Sequence, residues 1–315
     1  MAGVSAARTS HPLLGVTLVI AAASCFAVMD TFVRYLGAFF GVALVLWTRY
    51  ALHAVAMSLW IALSRDKTFR SANLRFQFAR GALLTFSSAM AFNALRHMPV
   101  AEFTAIVMLT PLAVTLLARV WLHERISRLR WALVVGGFSG ALIVIRPGSG
   151  VVGWAVLMPL AAAVSNAGFQ ILTSRFAPHE NPYTTNFYTG AAGVLLATPV
   201  LLASGAHALD ALASAPALHL GVLLTVAALG TTGHLLLIMA FGKAPAATLM
   251  PFQYVQIAVA ALAGWVLFNA APDAWGWLGM AVIAVCGAAS AWLNVRDAAL
   301  QKRPLTAVAA DTVAD

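Results

Sequence analysis

Ten apolar runs separated by short polar breaks dominate this 315-residue chain. They cover roughly residues 13–36, 41–63, 76–95, 100–121, 130–146, 151–174, 183–204, 217–241, 246–268 and 274–295. A helix needs about 20 apolar residues to cross a bilayer, whereas the strands of a membrane barrel read as ~10-residue segments of alternating polarity. The runs match the first pattern, which predicts an all-α integral membrane protein with ten transmembrane helices. The breaks suit helix ends. SRDKTFRSANLR (64–75) is polar, and RPGSG (146–150) is a turn sequence. HMP (97–99) and KAP (243–245) each set a proline at a helix start, where its missing N–H costs little.

Composition agrees with the pattern. The chain is 62% hydrophobic and only 9% charged, against about 25% charged in soluble domains. A soluble fold of this size could not cover its surface with so few charges. The net charge of +9 would suggest nucleic acid in a soluble protein, but no basic run interleaved with aromatics is present, so nucleic-acid binding is not expected. The charge instead reports orientation. With the N-terminus cytoplasmic, the inside segments hold Arg8, Arg65, Lys67, Arg70, Arg75, Arg125, Arg128, Arg130, Arg175, Lys243, Arg296, Lys302 and Arg303, and the outside loops hold only Arg96 and Arg146. This bias predicts both termini inside. Cys25 and Cys286 lie in apolar segments with no metal-binding spacing. AASC (22–25) superficially imitates a lipoprotein cleavage site, but the apolar run continues past the cysteine, so the first segment is read as a retained span.

The two halves of the chain resemble each other. RHMPVAEFTAIVMLTP (96–111) aligns with GKAPAATLMPFQYVQI (242–257) when Pro99 is set on Pro245, and the same shift of 146 sets Trp131 on Trp277. AAASCFAVMDTFVRYL (21–36) echoes AAAVSNAGFQILTSRF (161–176) at a shift of 140. Five helices per copy make the second copy enter the membrane from the opposite side, giving two inverted five-helix repeats with a substrate site expected near the midplane between them. The expected units are 13–146 and 151–295, followed by a cytoplasmic tail, 296–315, with no core-forming pattern. The strings MDTFVRYLG (29–37), WTRY (47–50), ALRHMPVAEFTAIVMLTPL (94–112), LHERIS (122–127) and GALIVIRPG (140–148) resemble the first EamA repeat. PFQYVQI (251–257) and GWVLFNAAPDAWGWLGMAVI (264–283) are similar to the second. The chain departs from the family pattern at His123, where a small residue is usual, and at FNAAPD (268–273), which lacks the glutamate of the first copy. Resemblance to this branch of the drug/metabolite transporter superfamily implies ten helices, a bacterial inner membrane and secondary transport of a small metabolite.

Charges inside a span are expensive, about 2.5–3.5 kcal/mol each on insertion scales, and mark candidate sites. Asp30 and Arg34 share a face of helix 1 at i, i+4. Arg49 on helix 2 and Glu102 on helix 4 fall in the same half of the membrane. The four form a candidate substrate or proton cluster, with a structural clamp of helices 1, 2 and 4 as the competing reading and, for Arg34, snorkelling to the outer interface. Glu102 is the preferred proton-coupling candidate, because pairing with arginine keeps Asp30 charged. His53, one turn from Arg49, offers a proton relay or simply a hydrogen-bonded side chain. Arg80 and Arg119 near the inner helix ends are read as snorkelling. The second half supplies mostly neutral polar groups: Asn166, Gln170, Asn186, Tyr188, His234, Gln253, Tyr254 and Gln256. Amides suit hydrogen bonding to a polar ligand, and they also glue helices together. Pro111 and Pro251 are candidate kinks, GGFSG (136–140) a close-packing surface rather than a phosphate loop, and Glu124 with Arg125 and Arg128 a surface charge cluster.

These features predict a secondary transporter for a polar or zwitterionic metabolite of amino-acid or nucleoside type, and the family resemblance extends the range to vitamins and S-adenosylmethionine. Its partners are that small molecule and the lipid bilayer, and no cofactor or metal is expected. A membrane-embedded lipid-modifying enzyme would need an aspartate-rich metal motif or a Ser/His pair, and neither is visible. A structural or sensory membrane protein is the other alternative. Substrate, direction, energy source and oligomeric state, a homodimer included, stay open.

Overall fold

A computed structural model of the chain describes residues 12–64, 68–114, 117, 128–145, 153–177, 179–205, 207–244 and 249–301. Arg119, Glu124, Arg125, the 146–150 turn, Pro245 and the tail from 302 lie outside the described residues. Within them the protein is helical, with no strand. The first repeat contributes α1 (Pro12–Leu36), α2 (Val42–Leu63), α3 (Leu74–Ala94), α4 (Val100–Val107) and α5 (Arg128–Ile145). A 3₁₀ turn (Gly153–Val156) leads into α6 (Leu157–Phe176), followed by α7 (Pro182–Ala203), α8 (Ala217–Lys243), α9 (Val255–Phe268) and α10 (Ala274–Gln301). A short unnumbered helix, His207–Ala213, bridges α7 and α8 where only a loop was expected. α10 runs beyond the expected end at 295, because VRDAALQ holds good helix formers and no breaker precedes Pro304. Residues 296–301, expected in the tail, are therefore helical.

The elements begin and end where the local chemistry requires. The Asn73 side chain accepts from Phe76 N–H at 3.1 Å to cap α3, and Asn181 accepts from Tyr183 N–H at 3.0 Å to cap α7. α9 closes on Asn269, whose φ of 52° is left-handed. α4 breaks after Val107 and resumes at 110–114. Pro111 has no N–H for the Val107 carbonyl and would crowd it, and the Thr110 hydroxyl donates to that carbonyl instead, at 2.6 Å. Pro251 sits in a 3₁₀ turn, Met250–Tyr254, that precedes α9. Both sequence-marked prolines thus interrupt regular α-helix in the fourth helix of their repeat.

Packing exposes the repeat. α1 packs on α8 as α6 packs on α3, α1 on α9 as α6 on α4, and α3 on α7 as α8 on α2, while α2–α7, α4–α9 and α5–α10 are self-paired. Each of these contacts has its mate when helix n is exchanged with helix n+5, the relation expected of two five-helix copies of opposite topology. Small residues set the α5–α10 seam. A Cβ on Gly136 would lie 2.8 Å from Cys286 Sγ, and one on Gly140 would lie 3.0 Å from Val282 Cγ1. These two contacts exchange under the shift of 146, so GGFSG is a packing surface.

The polarity of the fold is that of a membrane protein. Leu63 is 85% exposed while Arg49 is 1% exposed, and large apolar side chains such as Leu195, Leu202, Val266 and Trp275 face outward. Leu13–Leu36, Val42–Leu63, Gly153–Phe176, Pro182–Ala203 and Ala217–Lys243 are each long and apolar enough to span a bilayer. Val100–Val114, Trp131–Val144, Phe252–Phe268 and Ala274–Ala289 are shorter apolar helices. α3 is the most polar long helix, because it turns Gln77, Arg80, Thr85, Ser87 and Ser88 toward the interior.

Candidate functional site

A central cavity of about 70 Å³ lies among α1, α2, α3, α4, α6, α8 and the start of α9. Of the polar side chains anticipated from sequence, Asp30, Arg49, Asn166, Gln170, His234, Gln253 and Gln256 all line it. The shift of 140 that aligns α1 with α6 sets Asp30 on Gln170 and Phe26 on Asn166, and all four are lining residues. The α9 region reaches both. Gln256 Nε2 donates to Asp30 Oδ2, and Gln253 Nε2 donates to Gln170 Oε1, each at 3.4 Å. These bonds are longer than the usual 2.7–3.2 Å, so a ligand can displace them at low cost. Ser87, Ser88, Phe92, Phe103 and Met108 complete the wall. Sequence reading passed over them, although Ser87 and Ser88 lie on the polar stripe of α3, the available signal.

Arg49 is the cation of the cavity. Its Nη1 donates to Ser88 Oγ at 3.0 Å and its Nη2 to His234 Nε2 at 2.9 Å. The guanidinium carbon lies 4.6 Å from the centre of the Tyr50 ring and 5.7 Å from that of Phe92, and Tyr50 Oη is 3.0 Å from Ser88 Oγ. Gly230 makes room for it, since a Cβ there would lie 2.6 Å from Arg49 Nε.

The remaining candidates sit outside the cavity wall. Arg34, one turn beyond Asp30, donates to the Leu95 carbonyl at 3.2 Å and to the Met98 carbonyl, and lies 5.4 Å over Phe268. The Leu95 carbonyl ends α3, where a cation is favourably placed against the helix dipole, and Met98 lies in the turn before α4. Glu102 occupies the first turn of α4 and is half-buried. His53 is fully buried on α2, its ring against the position of Gly190 on α7. Tyr254 packs its ring directly onto Gly287 of α10. Asn186 Nδ2 donates to the Thr231 carbonyl at 3.2 Å, and Tyr188 Oη donates to the Phe69 carbonyl at 2.8 Å.

Arg80 corrects the sequence reading. It does not snorkel but is fully buried, donating to the Thr185 carbonyl, Thr189 Oγ1 and Thr173 Oγ1. Its guanidinium also lies 5.1 Å over Phe169. α3 meets α6 and α7 there, so the charge faces a ring of hydroxyls and a carbonyl rather than lipid. Nearby, Ser71 Oγ and Ala72 N–H donate to Glu180, and Thr184 Oγ1 donates to the Thr68 carbonyl. The first repeat is thus bound to the second by polar contacts one helical turn and more from the cavity. Among the described residues no group of three His, Cys, Asp or Glu side chains could hold a metal ion.

A multi-pass helical bundle with charged and amide groups gathered around a central cavity defines a membrane transporter of small metabolites. The chain belongs to the EamA-like transporter family, whose model matches residues 13–146 and 153–291. It is 33% identical to a riboflavin transporter of Rhizobium johnstonii over 190 residues, 60% of this chain and 61% of that protein. A riboflavin transporter of Vibrio cholerae is 27% identical over 87% of this chain and 91% of its own length. An S-adenosylmethionine uptake transporter of Rickettsia bellii is 26% identical over 78% and 81%. A protein of known crystal structure shares the fold with a TM-score of 0.57 at 21% identity, over 92% of this chain and 99% of that one.

Proposed function

We propose that this transporter carries a flat, hydrogen-bonding heteroaromatic metabolite of the riboflavin kind across the bacterial inner membrane by alternating access between its two repeats. The observation that carries this reading is the composition of the cavity wall. Four amides, Asn166, Gln170, Gln253 and Gln256, face the same space as the rings of Phe26, Phe92 and Phe103. Amides both donate and accept, so they suit the edge of a ring bearing carbonyl and N–H groups. Aromatic faces stack on its plane, at about 0.5–1.5 kcal/mol per pair. The names of the Rhizobium and Vibrio relatives support the same class. Residues 13–146 and 151–295 are taken as the units that rock, with both termini cytoplasmic because lysine and arginine favour that side. Asp30 favours a second reading, a cationic metabolite such as S-adenosylmethionine, since it brings a carboxylate to the cavity.

A thermal-shift screen of the purified protein separates these. Riboflavin, S-adenosylmethionine, nucleosides and amino acids are tested as separate additions. A ligand at 100 times its Kd stabilises by about 2.7 kcal/mol, well within reach of the method. A saturable rise with riboflavin is expected. A rise with S-adenosylmethionine alone selects the second reading, and no rise with either contradicts both.

A further inference from the structure

We infer that His234 is a positioning residue. As a neutral acceptor, matched by Ser88 in the other repeat, it keeps Arg49 out of a direct ion pair with Asp30 so that the guanidinium can receive a carbonyl or carboxylate oxygen of the substrate. The inference rests on the reading of the cavity as the substrate site.

The chemistry of the contact fixes the state of the ring. Guanidinium nitrogens only donate, so His234 Nε2, 2.9 Å from Arg49 Nη2, must accept. The imidazole is therefore neutral, with its hydrogen on Nδ1, which is buried without a partner among the described residues. The ring is held in place by Phe26, 4.7 Å between centres, and by Phe169, edge-on at 5.8 Å. Gly233 admits Phe26 to that position, since a Cβ there would lie 2.7 Å from Phe26 Cε1.

The repeat gives the contact its meaning. The shift of 146 that sets Pro99 on Pro245 also sets Ser88 on His234. Two equivalent positions, one on α3 and one on α8, thus grip a single cation from opposite repeats. The equivalent of Arg49 on α7, at the shift of 140, is the neutral Thr189, so the cation is unduplicated. Asp30 lines the same cavity. If the two charges paired, each would satisfy the other and neither would be left for a ligand. Both hydrogen bonds of Arg49 go instead to neutral groups, and Asp30 accepts from the neutral Gln256. Neutral hydrogen-bond partners leave the guanidinium out of a direct ion pair yet fix its direction, which is the preorganisation a binding group requires.

The test has one arm without substrate and one with it. Protein labelled with ¹⁵N-histidine is compared by NMR as wild type, His234→Gln and Arg49→Leu. The expected result is one histidine with hydrogen on Nδ1 and none on Nε2, assigned by its loss in His234→Gln and altered in Arg49→Leu. A His234 signal carrying its hydrogen on Nε2, or one unchanged in Arg49→Leu, overturns the inference. In proteoliposomes, riboflavin uptake by His234→Gln, which keeps an acceptor, should stay within about threefold of wild type. His234→Leu and His234→Lys should fall about tenfold or more. Equal losses in all three, at equal membrane insertion, overturn the positioning role. Absence of riboflavin uptake by the wild-type protein contradicts the riboflavin reading, and the NMR arm still decides the inference.

Discussion

Gly230→Ala is the sharpest probe of how the cavity holds its cation. A Cβ at this position would lie 2.6 Å from Arg49 Nε, 3.1 Å from Met29 Sδ and 3.3 Å from Arg49 Nη2. Normal contact begins near ~3.5 Å, so Nε must retreat from 2.6 Å by about 0.9 Å. The bonds from Arg49 to Ser88 and His234, at 3.0 and 2.9 Å, have little slack for such a shift. A guanidinium moved off its position forfeits a charge-assisted bond to the substrate, worth about 1.5–3 kcal/mol, which corresponds to about 10- to 100-fold weaker binding. Stability should fall by less than the loss of one internal bond of Arg49 would cost, because alanine in a helix gains about 1 kcal/mol over glycine and partly offsets the displacement. Gly221→Ala in the same helix is the control, since a Cβ there meets nothing within 4 Å. The assay is concentration-dependent riboflavin uptake in proteoliposomes, with thermal unfolding of both variants in detergent. The expected result is an uptake defect of about 10- to 100-fold in Gly230→Ala and none in Gly221→Ala. Wild-type uptake by Gly230→Ala would refute the placement of Arg49 as a binding group.

Three further outcomes follow from the same structure. Asp30→Asn removes the one carboxylate among the described lining residues while keeping an acceptor for Gln256; uptake should fall about tenfold or more at normal insertion, and normal flux would reduce Asp30 to a helix clamp. Thr189→Val deprives the buried Arg80 of an acceptor and should cost about 1–3 kcal/mol in denaturant unfolding; no change would mean that Arg80 does not depend on that hydroxyl. Gly279→Ala would put a Cβ 2.6 Å from the Gly140 carbonyl oxygen and 2.5 Å from Val144 Cγ2. Parting α5 from α10 should cost about 1–3 kcal/mol, while Gly242→Ala, with nothing within 4 Å, should not destabilise.

How much of this could be read from the sequence depends on the physical signal each feature carries. The spans are legible because every backbone polar group must be satisfied inside a bilayer, which forces long apolar runs. The repeat is legible because Pro99 and Pro245 hold equivalent places in the two sequence copies, each ahead of an apolar run. Asp30, Arg49 and the amides of α6 and α9 stand out as polar residues in apolar surroundings, and the cavity collects them. Pairing is where one-dimensional reading stops. Asp30 and Arg34 are spaced for an i, i+4 ion pair, yet Arg34 turns to the Leu95 and Met98 carbonyls between α3 and α4, partners that no local spacing reveals. Arg80 lies near a helix end, where snorkelling is the usual outcome, but α7 covers it with Thr185 and Thr189. The overlooked Ser87 and Ser88 follow Gln77 and Arg80 along one helical stripe. In a membrane bundle the polar stripe faces inward, the reverse of a soluble helix, and that rule applied to α3 points to them.

The central claim is that Arg49 and Asp30 serve one cavity through which the protein carries a small heteroaromatic metabolite. Riboflavin uptake into proteoliposomes holding wild type, Arg49→Leu or Asp30→Asn tests it most directly, with empty vesicles as baseline and equal insertion checked in each. Saturable uptake by the wild type, reduced about tenfold or more in both variants, is the predicted result. Wild-type uptake no faster than empty vesicles, or undiminished uptake in both variants, would contradict it.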